Sequence, residues 1–312
     1  MLDKIKARLL KGKEASGMPD PICARLTEIR AQGSMIALYG SPTGANWLGI
    51  ANATKGLYGD AALEIPQSYS NPVLSPQQID IICNKIKELK FERVIISGFA
   101  LYFFDFIDRL SGSCHIQTLF HGTISEFYNP HIQKQIQLLV QYAKEGKVQE
   151  LSFVKKDLDQ VFKKLYGLTA SHQPLNTPAI PGTLRPIEVD QTKIHIGVFG
   201  GDTFNKNLHN QVIHALMIDN TVVHVLDKSI FEYLGMGDRI IGHGVNLPKE
   251  IFFGILGSMT VNLYMSYSES WGLVAYESEA MGVPAVRMDD VNYSDMIRQA
   301  IQSKKTGSNH EG

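Results

Sequence analysis

Cysteine is scarce in this sequence of 312 residues: Cys23, Cys83 and Cys114 are odd in number, with no C-x-x-C and no metal-type spacing. That excludes a disulfide framework and favours buried thiols in a reducing compartment. No apolar run approaches the roughly 18 residues that a spanning helix needs. The basic N-terminus lacks the apolar core and cleavage site of a secretory leader, so the expected location is cytoplasmic. Neither sign of charge is in excess. With 30 Lys+Arg against 31 Asp+Glu the formal net charge is −1, so no global field draws the chain to nucleic acid and an anionic ligand must be held locally. Also missing are a Gly-Lys-Ser/Thr P-loop, a G-x-G-x-x-G fingerprint, histidines at metal-ligand spacing and any internal repeat.

Hydrophobic residues are present in quantity, 44% of the chain, enough for two cores rather than one oversized one. From Met35 onward short apolar runs alternate with helical stretches. Strands are expected at Met35–Tyr39, Ala61–Ile65, Arg93–Ser97, His115–Phe120 and Val148–Val154, and helices at Ala45–Tyr58, Pro76–Leu89, Leu101–Leu110 and Pro130–Lys144. This βαβα order implies a parallel sheet wrapped by helices. Residues 174–192 hold four prolines and little periodicity, as a linker does. The alternation then restarts with strands at Lys193–Phe199, Thr221–Leu226 and Arg239–Gly242, and helices at Asn207–Met217, Lys249–Met259 and Tyr293–Ser303. The expected domains are 1–180 and 181–312. Residues 2–14 set Lys4, Lys6, Arg8, Lys11 and Lys13 beside Leu2, Ile5, Leu9 and Leu10, which suits a solvated first helix or peripheral contact with an anionic membrane face.

Chemistry concentrates between Ser266 and Pro284. Glu269 and Glu277 lie eight residues apart in a strand–loop–helix context, with Gly272 opening the helix. A carboxylate accepts two hydrogen bonds side by side, which suits a vicinal diol such as a ribose or a hexose edge. A hydrolytic acid/base pair must flank one bond and is usually drawn from different strands, whereas these two share one loop and helix. Ser266-x-x-Glu269, Gly272, Glu277, Gly282 and Pro284 resemble the E-x7-E signature of retaining glycosyltransferases of GT-B fold, the class related to family-four hexosyltransferases. That resemblance implies an α/β fold of two Rossmann-like domains with parallel sheets and an interdomain cleft, the first half facing the acceptor and the second holding a nucleotide sugar. It implies that Glu277 holds ribose, that Glu269 contacts the donor sugar, and that the amides of Gly272 and Leu273 meet the diphosphate, with Ser268 beside them. The implied partners are a nucleotide-sugar donor and a carbohydrate or glycolipid acceptor, with neither a metal nor a separate cofactor.

Three further segments fit the same resemblance. Gly200 to Asn207 follows a strand and opens a helix, where a phosphate contact belongs, and Lys206 is similar to the family's catalytic lysine. The family's arginine position is Gly201, so the resemblance leaves the diphosphate short of a cation that another basic group, such as Lys249 or Arg239, would have to supply. His121, at the end of the run from Ile116 to Phe120, is similar to the histidine near the reacting sugar. Gly44, in Ser41-Pro-Thr-Gly44-Ala-Asn46, resembles the glycine-rich loop facing that sugar. Gly244 and Val245, after Ile241-Gly-His243, resemble the segment whose backbone reads the nucleotide base. Two other readings stay open: an impaired GT-B-like subunit that binds a nucleotide sugar or a partner protein, and a nucleotide-sugar 2-epimerase. Asp157-Leu-Asp159 is discounted as a metal motif, because acidic residues at a helix start favour the helix dipole.

Overall fold

The computed structural model describes residues 19–42, 47–66, 74–98, 102–123, 126–127, 129–176, 179–269 and 271–287. The basic stretch at 2–14, Gly44 and the helix expected at 293–303 lie outside the described residues. Two sheets organise the rest. β1 (Met35–Gly40), β2 (Ala62–Ile65), β3 (Arg93–Ser97), β4 (His115–Phe120), β5 (Glu150–Phe153) and β6 (Ala170–His172) lie in the order β2-β1-β3-β4-β5-β6. β7 (Ile194–Val198), β8 (Thr221–Val225), β9 (Ile240–Gly242), β10 (Val261–Tyr264) and β11 (Ala285–Arg287) follow in the order β11-β10-β7-β8-β9. All these pairings are parallel, and parallel neighbours need crossover connections. Helices α1 (Pro19–Gln32), α2 (Leu48–Tyr58), α3 (Pro76–Glu88), α4 (Phe103–Leu110), α5 (Pro130–Lys144) and α6 (Leu158–Tyr166) flank the first sheet. α7 (Leu208–Leu216), α8 (Lys249–Gly257) and α9 (Leu273–Ala280) belong to the second.

Strand periodicity splits the first sheet between two cores. Ile36, Leu38, Val94 and Ile96 join α1, α3, α4 and α5 in one buried cluster, while Ala37, Ile95 and Leu119, one residue out of phase, face the other, as a period of two requires. Helix starts follow local chemistry. Ser75 and Gln78 form a reciprocal capping box on α3, and Asn129 accepts from the His131 amide ahead of α5, each satisfying donors that the helix cannot. Two elements were not expected. α1 buries Ile22, Leu26 and Ile29 behind Pro19 and Asp20, and β6 adds a short strand to the sheet edge. The strand expected at Val148–Val154 starts only at Glu150, because the Lys147 and Val148 amides are taken by the Tyr142 carbonyl at the end of α5.

The Pro-rich segment is fastened to the second half along its later part. The Arg185 amide donates to the Glu250 carbonyl at 3.1 Å, and Ile187 and Val189 pack with Phe199, Ile255, Leu256 and Met259. Gly254 in α8 makes this approach possible, since a Cβ there would run into the Arg185 carbonyl. The halves also touch directly: Trp271 and Leu273 pack against the cluster of Ala37, Ala53, Ile95, Leu119, Val154 and Leu175.

Candidate functional site

β7 and β10 are neighbours, but the chain leaves β7 toward β8 on one side and β10 toward β11 on the other. Such a switch point opens a crevice at the carboxyl ends of the two strands, where ligands of open α/β sheets bind. Lys206 closes the 3-10 turn Phe204–Lys206 after β7, and Glu269 follows β10. Lys206 Nζ donates to Glu269 Oε1 at 2.7 Å, to Oε2 at 2.9 Å and to the Tyr264 hydroxyl at 3.1 Å, and stands 5.5 Å over the Tyr264 ring. Burial pulls the Lys206 pKa down, but Tyr264 and Glu269 outweigh it and the net shift is upward. The lysine is therefore a fixed positive charge.

Side-chain amides stitch the two loops together. Asn207 Nδ2 donates to the Met265 carbonyl at 3.0 Å and Gln211 Nε2 to the Lys206 carbonyl at 2.8 Å, while Gln211 Oε1 accepts from the Met265 amide at 2.9 Å. Asn205 Nδ2 reaches the Ser268 carbonyl at 3.4 Å. Beyond Glu269 the chain turns at Gly272, whose φ of 77° suits glycine and whose absent Cβ would stand 3.3 Å from the Tyr264 ring. Gly272 caps α9, and the Leu273 side chain is spent on the first half. In the same loop Ser266 Oγ and Trp271 Nε1 are buried without a hydrogen-bond partner.

Glu277 lies one turn into α9 and is half-buried, with no hydrogen bond to its carboxylate among the described residues. Burial pushes its pKa from 4.5 up to about 7, and only Lys249 pulls the other way. Lys249, at the start of α8, thus lies within electrostatic reach of Glu277. Arg239 does not: it donates to the carbonyls of Thr221 and Ile218 at the amino end of β8, the far side of the sheet. Gly201 is exposed with open space around it.

From the first half, His121 follows β4. Thr54 Oγ1 donates to the Ile50 carbonyl at 2.7 Å, so at its 2.6 Å contact with Ser97 Oγ it accepts. Ser97 in turn accepts from His121 Nε2 at 2.9 Å. A carbonyl thus sets the direction of the whole chain, and neutral His121 carries its proton on Nε2 with Nδ1 as a bare acceptor. Burial holds the ring neutral by pulling its pKa from 6.5 down to about 4.

Glu126, in the same loop, was not anticipated. Its carboxyl packs so closely over Gly122 that a Cβ there would collide with it. Burial raises its pKa, the Thr123 backbone and the Lys206 charge lower it, and Glu269 raises it again, so Glu126 brings the first half within electrostatic reach of the Lys206–Glu269 pair. The one available signal was its place five residues after His121.

Gly244 and Val245 follow β9. Gly244 has φ 91°, and the His243 and Gly244 amides donate to the Val225 and Leu226 carbonyls at 3.0 and 2.8 Å. Val245 is 58% exposed. A concavity at the opposite, amino end of the second sheet is lined by Ile187, Val189, His195, Ser258 and Thr260, and no carboxylate lines it. Asp159, from the discounted acidic pair, bonds Lys163 at 3.0 Å. No helix among the described residues is long and apolar enough to cross a membrane.

No protein-family model matches the sequence, and no curated protein matches it. Solved structures do match. HepE from Anabaena, in complex with UDP and glucose, is similar with a TM-score of 0.58 at 12% identity, over 84% of this chain and 82% of that one. Sucrose-phosphate synthase from Thermosynechococcus elongatus follows at 0.55 and 12%, over 81% and 80%. The apo lipopolysaccharide outer core galactosyltransferase WaaB stands at 0.52 and 13%, also over 81% and 80%. Two parallel sheets flanked by helices, in this order, give the chain the α/β fold of these GT-B glycosyltransferase structures.

Proposed function

We propose that this chain is a retaining glycosyltransferase that moves a sugar from a nucleoside diphosphate to a carbohydrate or lipid-linked acceptor, with residues 1–180 on the acceptor side and 181–312 on the donor side. The observation that carries the reading is Glu277: a desolvated carboxyl without a partner, on the helix that follows the loop carrying the ion-paired Glu269. Such a group lacks hydrogen-bond donors, and the vicinal hydroxyls of a ribose supply two. The likeness of fold to a structure holding UDP and glucose supports it.

On this reading Lys206 leaves Glu269 for the diphosphate, aided by the amides at Gly272 and Leu273 at the start of α9 and by Lys249, without a metal. Glu269, once released, accepts sugar hydroxyls, and His121 Nδ1 accepts another from the opposite wall. Ser268 completes the surround. The bond from the anomeric carbon to the phosphate oxygen breaks, and the bond to the acceptor oxygen forms on the same face. The acceptor's proton passes to the leaving phosphate, so no side-chain base is required.

A thermal-shift panel of nucleotides and nucleotide sugars tests the donor site. A ligand at a hundred times its Kd adds about 2.7 kcal/mol, and a panel that leaves the melting point unmoved refutes the reading. Exposed Gly201 at the arginine position favours a second reading, a subunit that binds the donor without turnover. Donor stabilisation with neither hydrolysis nor transfer would select it.

A further inference from the structure

Exposed aromatic rings follow the carboxyl ends of three neighbouring strands of the second sheet. Tyr267 follows β10, Phe204 follows β7 and Tyr233 follows β8, and these strands lie side by side in the order β10-β7-β8. Phe204 is 89% exposed, Tyr233 64% and Tyr267 45%. The rings of Phe204 and Tyr267 lie 5.5 Å apart and 37° from parallel, and the Tyr267 amide donates to the Asn205 carbonyl at 2.8 Å. The Tyr233 hydroxyl meets His209 Nδ1 at 3.0 Å, and His209 Nε2 lies 3.6 Å from Asp202, so the third ring is tied to the loop that carries Phe204.

Phe204 stands two residues before Lys206, and Tyr267 two before Glu269. The loops that bring lysine and glutamate to 2.7 Å therefore bring the two rings together as well, at the mouth of the crevice. A single exposed aromatic needs no explanation, but a contiguous group beside a crevice marks a surface that something covers.

Charge and hydrogen bonding narrow what covers it. The cations of the loops after β7 and β8 are spent: Lys206 pairs with Glu269, and Lys228 donates to the Gly237 carbonyl at 2.9 Å. What these loops expose is acidic, at Asp202, Asp227 and Glu232, which disfavours an anionic bilayer, a nucleic acid or an acidic glycan. Asn210 Nδ2 donates to the Tyr267 hydroxyl at 2.9 Å, so that hydroxyl keeps its own proton to give, with no acceptor for it among the described residues. A neutral pyranose fits both features. Its C–H face lies on the negative face of an aromatic ring, and its edge hydroxyls accept from the phenol.

We infer that Phe204 and Tyr267, continued by Tyr233, form a subsite for an uncharged oligosaccharide on the rim of the second half. The role of that saccharide rests on the proposed glycosyltransferase reading: it is the outer part of the acceptor, held while the crevice holds the donor.

Native electrophoresis of the full chain through gels cast with glycogen, pullulan, laminarin or galactomannan tests this, beside nucleotide thermal shifts on the same proteins. Wild type should be retarded by at least one of these neutral polysaccharides. Phe204→Ala should weaken that apparent affinity about tenfold or more, and Tyr267→Phe, which keeps the ring but not the donor, by less. Phe204 is so exposed that its removal leaves the fold intact, and the variant should keep the wild-type nucleotide shift. Wild type that migrates unretarded in all four gels, or Phe204→Ala retarded as strongly as wild type, overturns the inference. Phe204-dependent self-association, or sedimentation with phosphatidylglycerol vesicles, in place of retardation gives the rim to a second copy or a bilayer and overturns it too. Phe204-dependent retardation without any nucleotide shift removes the donor site and leaves the saccharide subsite standing.

Discussion

Replacing Glu277 by Gln separates the stability of the empty protein from its capacity to bind. Burial moves this carboxyl from 4.5 to about 7. At about 1.36 kcal/mol per pKa unit the fold disfavours the ionised form by about 3 kcal/mol, of which about 2 to 3 kcal/mol remain once the water that still reaches the group is allowed for. A carboxyl whose folded pKa lies above its unfolded value gives stability that is complete below the unfolded value and lost as pH rises through the folded one. Wild type should therefore weaken between pH 4.5 and about 7, while Glu277→Gln, neutral throughout, should not. In thermal melts without nucleotide, the variant should gain roughly 5 °C at pH 8, at about 2 °C per kcal/mol, and almost nothing at pH 5. In the same variant nucleotide affinity should fall, because charge-assisted bonds of about 1.5 to 3 kcal/mol each are lost. A variant that melts at or below wild type at pH 8, or a difference that stays constant with pH, refutes the account of Glu277 as a desolvated, unpaired carboxylate.

Glu269→Gln should move stability the other way, lowering it by about 1 to 3 kcal/mol at pH 7 in urea denaturation, since Lys206 keeps its charge and loses its counterion. His121→Gln retains an N–H for Ser97 but no titration. Because burial lowers the histidine pKa, neutral His121 gives stability that is complete above pH 6.5 and lost as pH falls to about 4, so wild type should lose more than the variant over that interval. Gly254→Val would drive a side chain into the Arg185 carbonyl, and should cost about 1 to 3 kcal/mol and expose residues 179–189 to limited proteolysis.

Apart from the edge strand β6, the sheets are legible in the sequence because their strands are short apolar runs bounded by turns, and the helix starts at Pro76 and Pro130 because proline in a first turn is a local feature. Pro19 to Gln32 escaped notice since Cys23, Ala24 and Thr27 interrupt a stripe only three residues deep, and its place is set by packing on the sheet. Glu269, Glu277 and Lys206 could be picked out from spacing and resemblance. Their states could not, because the ion pair spans 63 residues and the shift at Glu277 comes from burial. Sequence makes Arg239 a candidate cation for the diphosphate in place of the missing arginine, yet strand direction puts it at the wrong end of the sheet. The hydrogen-bonded row of His195, His224 and His243 is invisible for the same reason as Glu126: its members are 29 and 19 residues apart and meet only through register.

On the proposed reading, the Lys206–Glu269 pair makes a diphosphate alone a poor ligand. Lys206 is neutralised by Glu269 at 2.7 Å, and a phosphate can claim the lysine only by leaving Glu269 as a half-buried carboxylate without its cation. That cost offsets the new phosphate contact unless something donates hydrogen bonds to Glu269 in the same event. Sugar hydroxyls do this on the proposed reading; water and a bare nucleotide do it less well in a desolvated loop. The sugar should therefore strengthen diphosphate binding through Glu269, so that a nucleotide sugar binds tighter than the matching nucleoside diphosphate in wild type. In Glu269→Gln, where no charge is stranded, that preference should shrink, chiefly because the nucleoside diphosphate binds better. Isothermal titration of both ligands against both proteins measures the coupling directly. An unchanged preference would mean that the ion pair is structural and takes no part in choosing the donor.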